Sequence, residues 1–305
     1  MTKPRALLPG DLIAVVSPAS SISRDRLERG TDLLEEHGFR VQLGEHVLAQ
    51  TDYLAGSDED RAADLMAAFR NPEAAAVLCS RGGYGCARLL PLLDLDEMAA
   101  SGKMFLGFSD ISTLHFALNR RGLVTIHSPM LLSFNVEREP WVLESFLNVL
   151  TGKDPIVANA PKGETIVAGQ AEGVVTGGCL CLITDSLATP DSIDMQNKIV
   201  LIEDVDENPH RVDAMLTHLL NTGQIQQAAG IVVGEMTSTD DREDATIGKR
   251  PWRDIVIERL APLGKPLVVN FPFGHCRGML SLPLGIRACL NADEGTLQYT
   301  ESAWS

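Results

Sequence analysis

Hydrophobic positions in the first half of this chain alternate between two spacings. Leu12 to Val16 is a short continuous run rich in β-branched residues and closed by Ser17-Pro18, the pattern of a buried strand that ends in a loop. Leu27, Leu33 and Leu34 then keep helical spacing with Gly38 as the stop, and Phe39, Val41 and Leu43 alternate with polar residues as a strand does. Ser57, ahead of Ala62, Leu65, Met66 and Phe69, is placed to cap a second helix. Ala75 to Cys79 and Met104 to Phe108 read as further buried strands. The first runs into Arg81-Gly82-Gly83-Tyr84-Gly85 and the second into Ser109. Strand and helix in alternation predict an α/β domain with a parallel sheet covered on both faces.

The pattern changes near the middle. Lys153 to Gly169 is rich in Pro, Gly, Ala and polar residues with weak periodicity, as a linker is. Beyond it come Gly177-Gly178, an apolar strand at Ile199 to Ile202, a helix around Val212 to Leu220 and a strand at Ile231 to Val233. Short strands with Gly and Pro turns fill Leu267 to Tyr299. The expected organisation is an α/β domain over 1–153, a linker over 154–169 and a β-rich domain over 170–305.

Charge narrows the partners. The 305 residues carry 41 Asp and Glu against 26 Lys and Arg, a net −15, so neither nucleic acid nor an anionic membrane surface is the expected partner. A small molecule is. No apolar run approaches the roughly 18 residues of a membrane span, and Pro9, Gly10 and Asp11 break the first apolar stretch, so the start does not read as a signal peptide. A cytoplasmic protein is expected. The six cysteines include no C-x-x-C pair and read as buried thiols rather than a disulfide framework.

Ligands of open parallel sheets collect beyond the carboxyl ends of the strands, where two features stand. Gly107-Phe108-Ser109-Asp110 lies between a strand and a helix, the layout of a nucleophile elbow, although Ile111 replaces the final glycine of G-x-S-x-G. Ser109 is either that nucleophile or the cap of the helix. Arg81 to Gly85 holds three glycines in five positions and lacks G-K-[ST], which suits an oxyanion wall or a tight turn better than a phosphate loop. A serine nucleophile needs a base and an acid that orients it. Among the seven histidines, His275 follows a strand and a Pro-Phe-Gly turn. Glu203 ends an apolar strand and is followed by Asp204, Asp206 and Glu207, which read as a solvated acidic loop, a divalent-cation site or the source of the orienting acid. No recognised ligand spacing accompanies the acids, and no metal or other cofactor is expected.

Taken together, the motifs resemble the LD-carboxypeptidases, or muramoyltetrapeptide carboxypeptidases, a family of serine peptidases that includes the microcin-immunity peptidases. The resemblance runs from P-G-D-x-I-x-V-x-x-P at Pro9 through Y-L-A-G-S-D-x-x-R-x-x-D-L at Tyr53, R-G-G-Y-G at Arg81, G-F-S-D at Gly107 and H-x-P-M at His127. It continues with G-G-x-L at Gly177, L-I-E-D at Leu201, R-x-D-x-M-L at Arg211 and G-H followed by L-P-L-G from Gly274 to Gly285. It implies a metal-free triad in which Ser109 attacks, His275 moves the proton and Glu203 orients the imidazole, with an oxyanion hole from the backbone amides of Gly83 and Asp110. The implied fold is an N-terminal α/β domain supplying the serine and a β-rich C-terminal domain supplying Glu203 and His275, so that the triad spans an interdomain cleft. The implied work is release of terminal D-alanine from muropeptide tetrapeptides in cell-wall recycling, in the cytoplasm and as a homodimer.

A substrate ending in a carboxylate needs a local cation, for which Arg81 and Arg277 are candidates, with Tyr84 a further substrate contact. Cys179 stands where the family usually has Asn and Ser128 where it has Gly, which opens substrate preference. The alternatives are hydrolysis of peptidyl- or aminoacyl-nucleotide amides, with Trp252 as the platform for a base, and a non-catalytic muropeptide-binding module. Cys276, beside His275, is a minor rival as nucleophile, since adjacent side chains on an extended loop point apart.

Overall fold

The structure, a computed structural model, describes residues 1–242 and 250–305. In chain order the first half contains β1 (Leu12–Val16), α1 (Arg24–Glu36), β2 (Arg40–Leu43), α2 (Asp58–Arg70), β3 (Ala74–Cys79), α3 (Cys86–Leu89), α4 (Leu95–Ala100), β4 (Met104–Gly107), α5 (Ser112–Arg120), β5 (Thr125–His127) and α6 (Pro140–Leu150). The second half contains β6 (Glu164–Val167), β7 (Gln170–Cys179), α7 (Leu180–Ser186), β8 (Lys198–Val205), α8 (Pro209–Thr222), β9 (Gly230–Thr237), α9 (Trp252–Leu260), β10 (Leu267–Val269), β11 (Leu282–Leu284), β12 (Arg287–Asn291) and β13 (Thr296–Tyr299). No helix among the described residues is long and apolar enough to cross a membrane.

The chain forms two compact units. The first comprises Met1–Val157, Ser281–Gly285 and Ala303–Ser305, and the second Ala158–Leu280 and Ile286–Ser302. The boundary falls inside the stretch expected to be linker, and that stretch is not all linker: β6 lies in it and pairs antiparallel with β10. Nor does the second unit keep all of 170–305. β11 pairs antiparallel with β5, setting Leu282 opposite His127, and so completes the sheet of the first unit. A three-residue apolar strand carries no local mark of which sheet it joins.

In the first unit the strand order is β11-β5-β4-β3-β1-β2, with β1 to β5 parallel. Neighbours along a strand point to opposite faces, and both faces are covered. Ile13, Val15, Leu78, Met104 and Leu106 share one buried cluster with Leu34 of α1 and Phe146 of α6. Phe105 points the other way, against Phe69 of α2 and His115 of α5, with ring centroids 5.7 and 5.4 Å away. Ser57 accepts the Asp60 N–H at 3.1 Å and caps α2 as its position in the sequence predicts. The order of strands reverses between β1 and β3, so the loops leaving their carboxyl ends flank a crevice.

The second unit is a seven-stranded sheet in the order β13-β12-β7-β8-β9-β10-β6, parallel across β7 to β10 and antiparallel at both sides. Ile199 to Ile202 and Ile231 to Val233 are fully buried, as their unbroken apolar runs require. Val212, Leu216 and Leu219 of α8 and Val256 of α9 are buried as well. The unit is therefore mixed α/β, with seven strands and the helices α7 to α9 among the described residues.

Candidate active site

In the first unit three loops meet at the carboxyl ends of β1, β3 and β4. Phe108 is extended, and Ser109 then takes φ +63°, a left-handed conformation that costs an L-residue other than glycine about 1–2 kcal/mol. An N-cap residue sits in the extended region, so Ser109 is not placed as a cap; it lies inside a 3₁₀ turn, Ser109–Ile111, that leads into α5. Ile111 fits where the elbow pattern has glycine because Gly107 gives way: a Cβ on Gly107 would come within 2.9 Å of the Ile111 side chain. The end of β4 is held by His115, whose Nε2 lies 2.9 Å from the Gly107 carbonyl. Burial pushes this imidazole down to about 3, so it is neutral and donates that hydrogen bond.

The glycine loop lies directly against the elbow. A Cβ on Gly82 would stand 2.7 Å from the Ser109 Cβ, and one on Gly83, at φ +122°, would stand 2.2 Å from the Ser20 Oγ. The Asp110 carboxylate accepts the Cys86 N–H at 2.8 Å and ties the elbow to the start of α3. Burial raises the Asp110 pKa, against the opposing pull of that hydrogen bond and of Arg61. Arg61, 1% exposed, donates to the carbonyls of Pro18 and Gly85 and pairs with Asp58, so one buried guanidinium fastens the loops after β1 and β3. Pattern reading missed Arg61. The available signal was an arginine three residues after the acid of S-D-x-x-R, on the face of α2 that also carries Leu65.

Arg81 is half-buried and donates to the carbonyls of Gly82 and Ser21 at 3.2 Å each. Tyr84 is exposed and meets the exposed Tyr53 at a centroid distance of 5.9 Å.

The second unit brings Glu203 and His275 together. Glu203 lies within β8, which runs three residues beyond the apolar stretch, and is fully buried rather than solvated. Its Oε2 accepts from the backbone N–H of His275 at 3.0 Å and lies 2.7 Å from His275 Nδ1. Gly274 makes this approach possible: it has φ +90°, and a Cβ there would fall 2.4 Å from Glu203 Cγ and Oε2. Burial alone pushes the His275 imidazole down, but the charge and hydrogen bond of Glu203, with Asp204 and Asp206 behind them, outweigh it and raise the pKa above 6.5. With Nδ1 turned to the carboxylate, Nε2 is the ring nitrogen on the opposite edge.

The acidic run divides. Asp204 is buried like Glu203, whereas Asp206 and Glu207 reach the surface and pair with Arg242 and Arg211. Asp204 also closes a cluster with Cys179 and Cys181. The expectation that all six cysteines are buried is corrected at Cys181 and Cys289, which are half-buried, although none of the six is joined in a disulfide. Arg277 is exposed. Cys276 directs its thiol at the carbonyls of Gly278 and Phe273, 2.8 and 3.3 Å away, and so into its own loop. Trp252 is buried at the start of α9.

Comparison with known proteins agrees along nearly the whole length. Residues 13–128 match the LD-carboxypeptidase N-terminal domain and residues 172–290 the LD-carboxypeptidase C-terminal domain. A Streptomyces coelicolor protein whose name assigns carboxypeptidase activity provisionally is 39% identical over 309 residues, covering 99% of this chain and 97% of its own. The murein tetrapeptide carboxypeptidase of Pseudomonas aeruginosa is 35% identical, covering 92% and 93%. The Escherichia coli microcin C7 self-immunity protein is 26% identical, covering 97% and 94%. A solved structure of a microcin C7 self-immunity protein, 25% identical, aligns over all of both chains with a TM-score of 0.88.

Proposed function

This chain belongs to the LD-carboxypeptidase family, and on that premise we propose that it is a metal-independent serine peptidase releasing terminal D-alanine from muropeptide tetrapeptides. The observation that carries the proposal is the pairing of buried Glu203 with half-buried His275, joined at 2.7 Å through Nδ1. In this reading Ser109 Oγ adds to the carbonyl of the L,D bond while its proton passes to His275 Nε2. The imidazolium then gives that proton to the leaving D-alanine amine, and water, activated by the same histidine, hydrolyses the acyl-enzyme. Glu203 holds the tautomer and stabilises the imidazolium. The backbone N–H groups of Gly83 and Asp110 receive the oxyanion, a role supported by the packing of the glycine loop against Ser109. Arg81, Tyr84 and Arg277 are proposed substrate contacts. Cell-wall recycling in the cytoplasm, by a homodimer, completes the proposal.

The test is detection of D-alanine from purified tetrapeptides differing only in the third residue. Release is expected, and Ser109→Ala should lower turnover by roughly 10⁴ to 10⁶. Wild-type turnover in that variant would end the serine assignment.

Hydrolysis of a peptidyl- or aminoacyl-nucleotide amide is the second reading, favoured by the self-immunity relative and opposed by the burial of Trp252. A peptidyl-adenylate assayed beside the tetrapeptide separates the two. A muropeptide-binding module would show neither turnover nor labelling of Ser109 by an active-site serine reagent.

A further inference from the structure

Two thiols and a carboxylate converge where β7 passes into α7. Cys179 ends β7, Cys181 lies in the first turn of α7, and Asp204 lies on the neighbouring parallel strand β8, next to the residue paired with Cys179. The two Sγ atoms are 3.4 Å apart, Cys179 Sγ is 3.2 Å from Asp204 Oδ1, and one ligand atom from each residue lies within 4.8 Å of the other two. Backbone N–H groups of Cys181 and Val205 donate to the same carboxylate at 2.8 Å each, which fixes its orientation. Cys179 and Asp204 are buried and Cys181 is half-buried, so the cluster reaches solvent on the Cys181 side.

We propose that Cys179, Cys181 and Asp204 form a three-donor binding site for a soft divalent cation of the zinc or cadmium class. A tetrahedral ion with metal–sulfur bonds of about 2.3 Å sets its sulfur ligands about 3.7 Å apart and a sulfur and carboxylate oxygen about 3.5 Å apart. The observed 3.4 and 3.2 Å therefore need shifts of only a few tenths of an ångström. Thiolate donors favour zinc or cadmium over magnesium or calcium. Binding exchanges the Cys179 S–H···Oδ1 hydrogen bond for metal–ligand bonds and releases both thiol protons to water. The buried carboxylate of Glu203 adds negative charge nearby. The fourth ligand is a water molecule at the open side. This cation site uses none of Ser109, Glu203 and His275 and does not depend on the peptidase reading.

The test is titration of the whole, reduced protein with cadmium chloride, followed by the ultraviolet thiolate-to-cadmium charge-transfer band. One saturating equivalent is expected, unchanged in Cys289→Ser and abolished in the Cys179→Ser, Cys181→Ser double variant. Absence of a saturable band in the folded wild type overturns the proposal, as does persistence of the band in the folded double variant. If circular dichroism shows that the double variant does not fold, Asp204→Asn decides. Affinity there should fall roughly tenfold or more, since even residues that only support metal ligands are worth that much, and unchanged affinity overturns the assignment.

Discussion

At the scale of single residues, one carboxylate oxygen in the second unit serves two donors. Glu203 Oε2 holds both the backbone and the ring of His275, so the imidazole cannot rotate without losing a buried partner. Because the folded pKa of His275 lies above the ordinary 6.5, the pair's contribution to stability is complete below pH 6.5 and fades as pH rises through the folded value. If His275 is the general base proposed above, activity runs in the opposite direction, because a general base must be neutral. The acid limb of kcat/KM should therefore have its midpoint above 6.5, and Glu203→Gln should move that midpoint down while lowering kcat by as much as about 10⁴. A pH profile of the two proteins checks this, and an unmoved midpoint would separate the histidine from its carboxylate. The positions of Glu203 and His275 were legible in the sequence as strand-end and loop residues. The burial of Glu203 was not, because charge count along a chain says nothing of the backbone and ring donors that a fold brings to meet a carboxylate.

At the scale of elements, the elbow and the glycine loop behave as one assembly. Gly82 has an ordinary backbone conformation, so its glycine is required by space, not by torsion: any Cβ would press on Ser109. Gly82→Ala is expected to keep the fold and to displace the loop, lowering kcat by about 10² or more with little change in melting temperature, which turnover and thermal unfolding would show. Arg61 acts beneath the same loops. Its removal strands the carbonyls of Pro18 and Gly85, although Asp58 keeps its hydrogen bonds to Arg88. Arg61→Met should therefore cost about 2–5 kcal/mol in a denaturant titration. Strands and helices were readable from periodicity, since each buries a face that its own spacing marks. The contact between Gly82 and Ser109 joins residues far apart in sequence, and no local pattern encodes it. The β6 strand was missed for a related reason: Glu164–Val167 is half-exposed at the sheet edge, so its composition reads as loop.

At the scale of the whole molecule, the first unit is not a continuous piece of chain. Without Ser281–Gly285 the buried residues Thr125, Ile126 and His127 lose their β11 partners, and Ser145 Oγ loses the Ser281 N–H that it accepts at 2.9 Å. A fragment of residues 1–157 should consequently expose a sheet edge and aggregate, whereas the same fragment carrying 281–285 on a short linker should be monomeric and cooperatively unfolding. Size-exclusion chromatography and thermal unfolding compare them, and equal behaviour would make β11 dispensable. By itself the sequence determined the parallel α/β pattern, the acidic net charge and the order of Ser109, Glu203 and His275, because periodicity, net charge and strand-end position are local properties. Only the tertiary structure decided that Glu203 is buried against His275, that Arg61 binds two loops, that β11 completes the first sheet and that Cys179, Cys181 and Asp204 meet. Each of these is a contact between distant positions, created when apolar faces pack and bring polar groups to their partners.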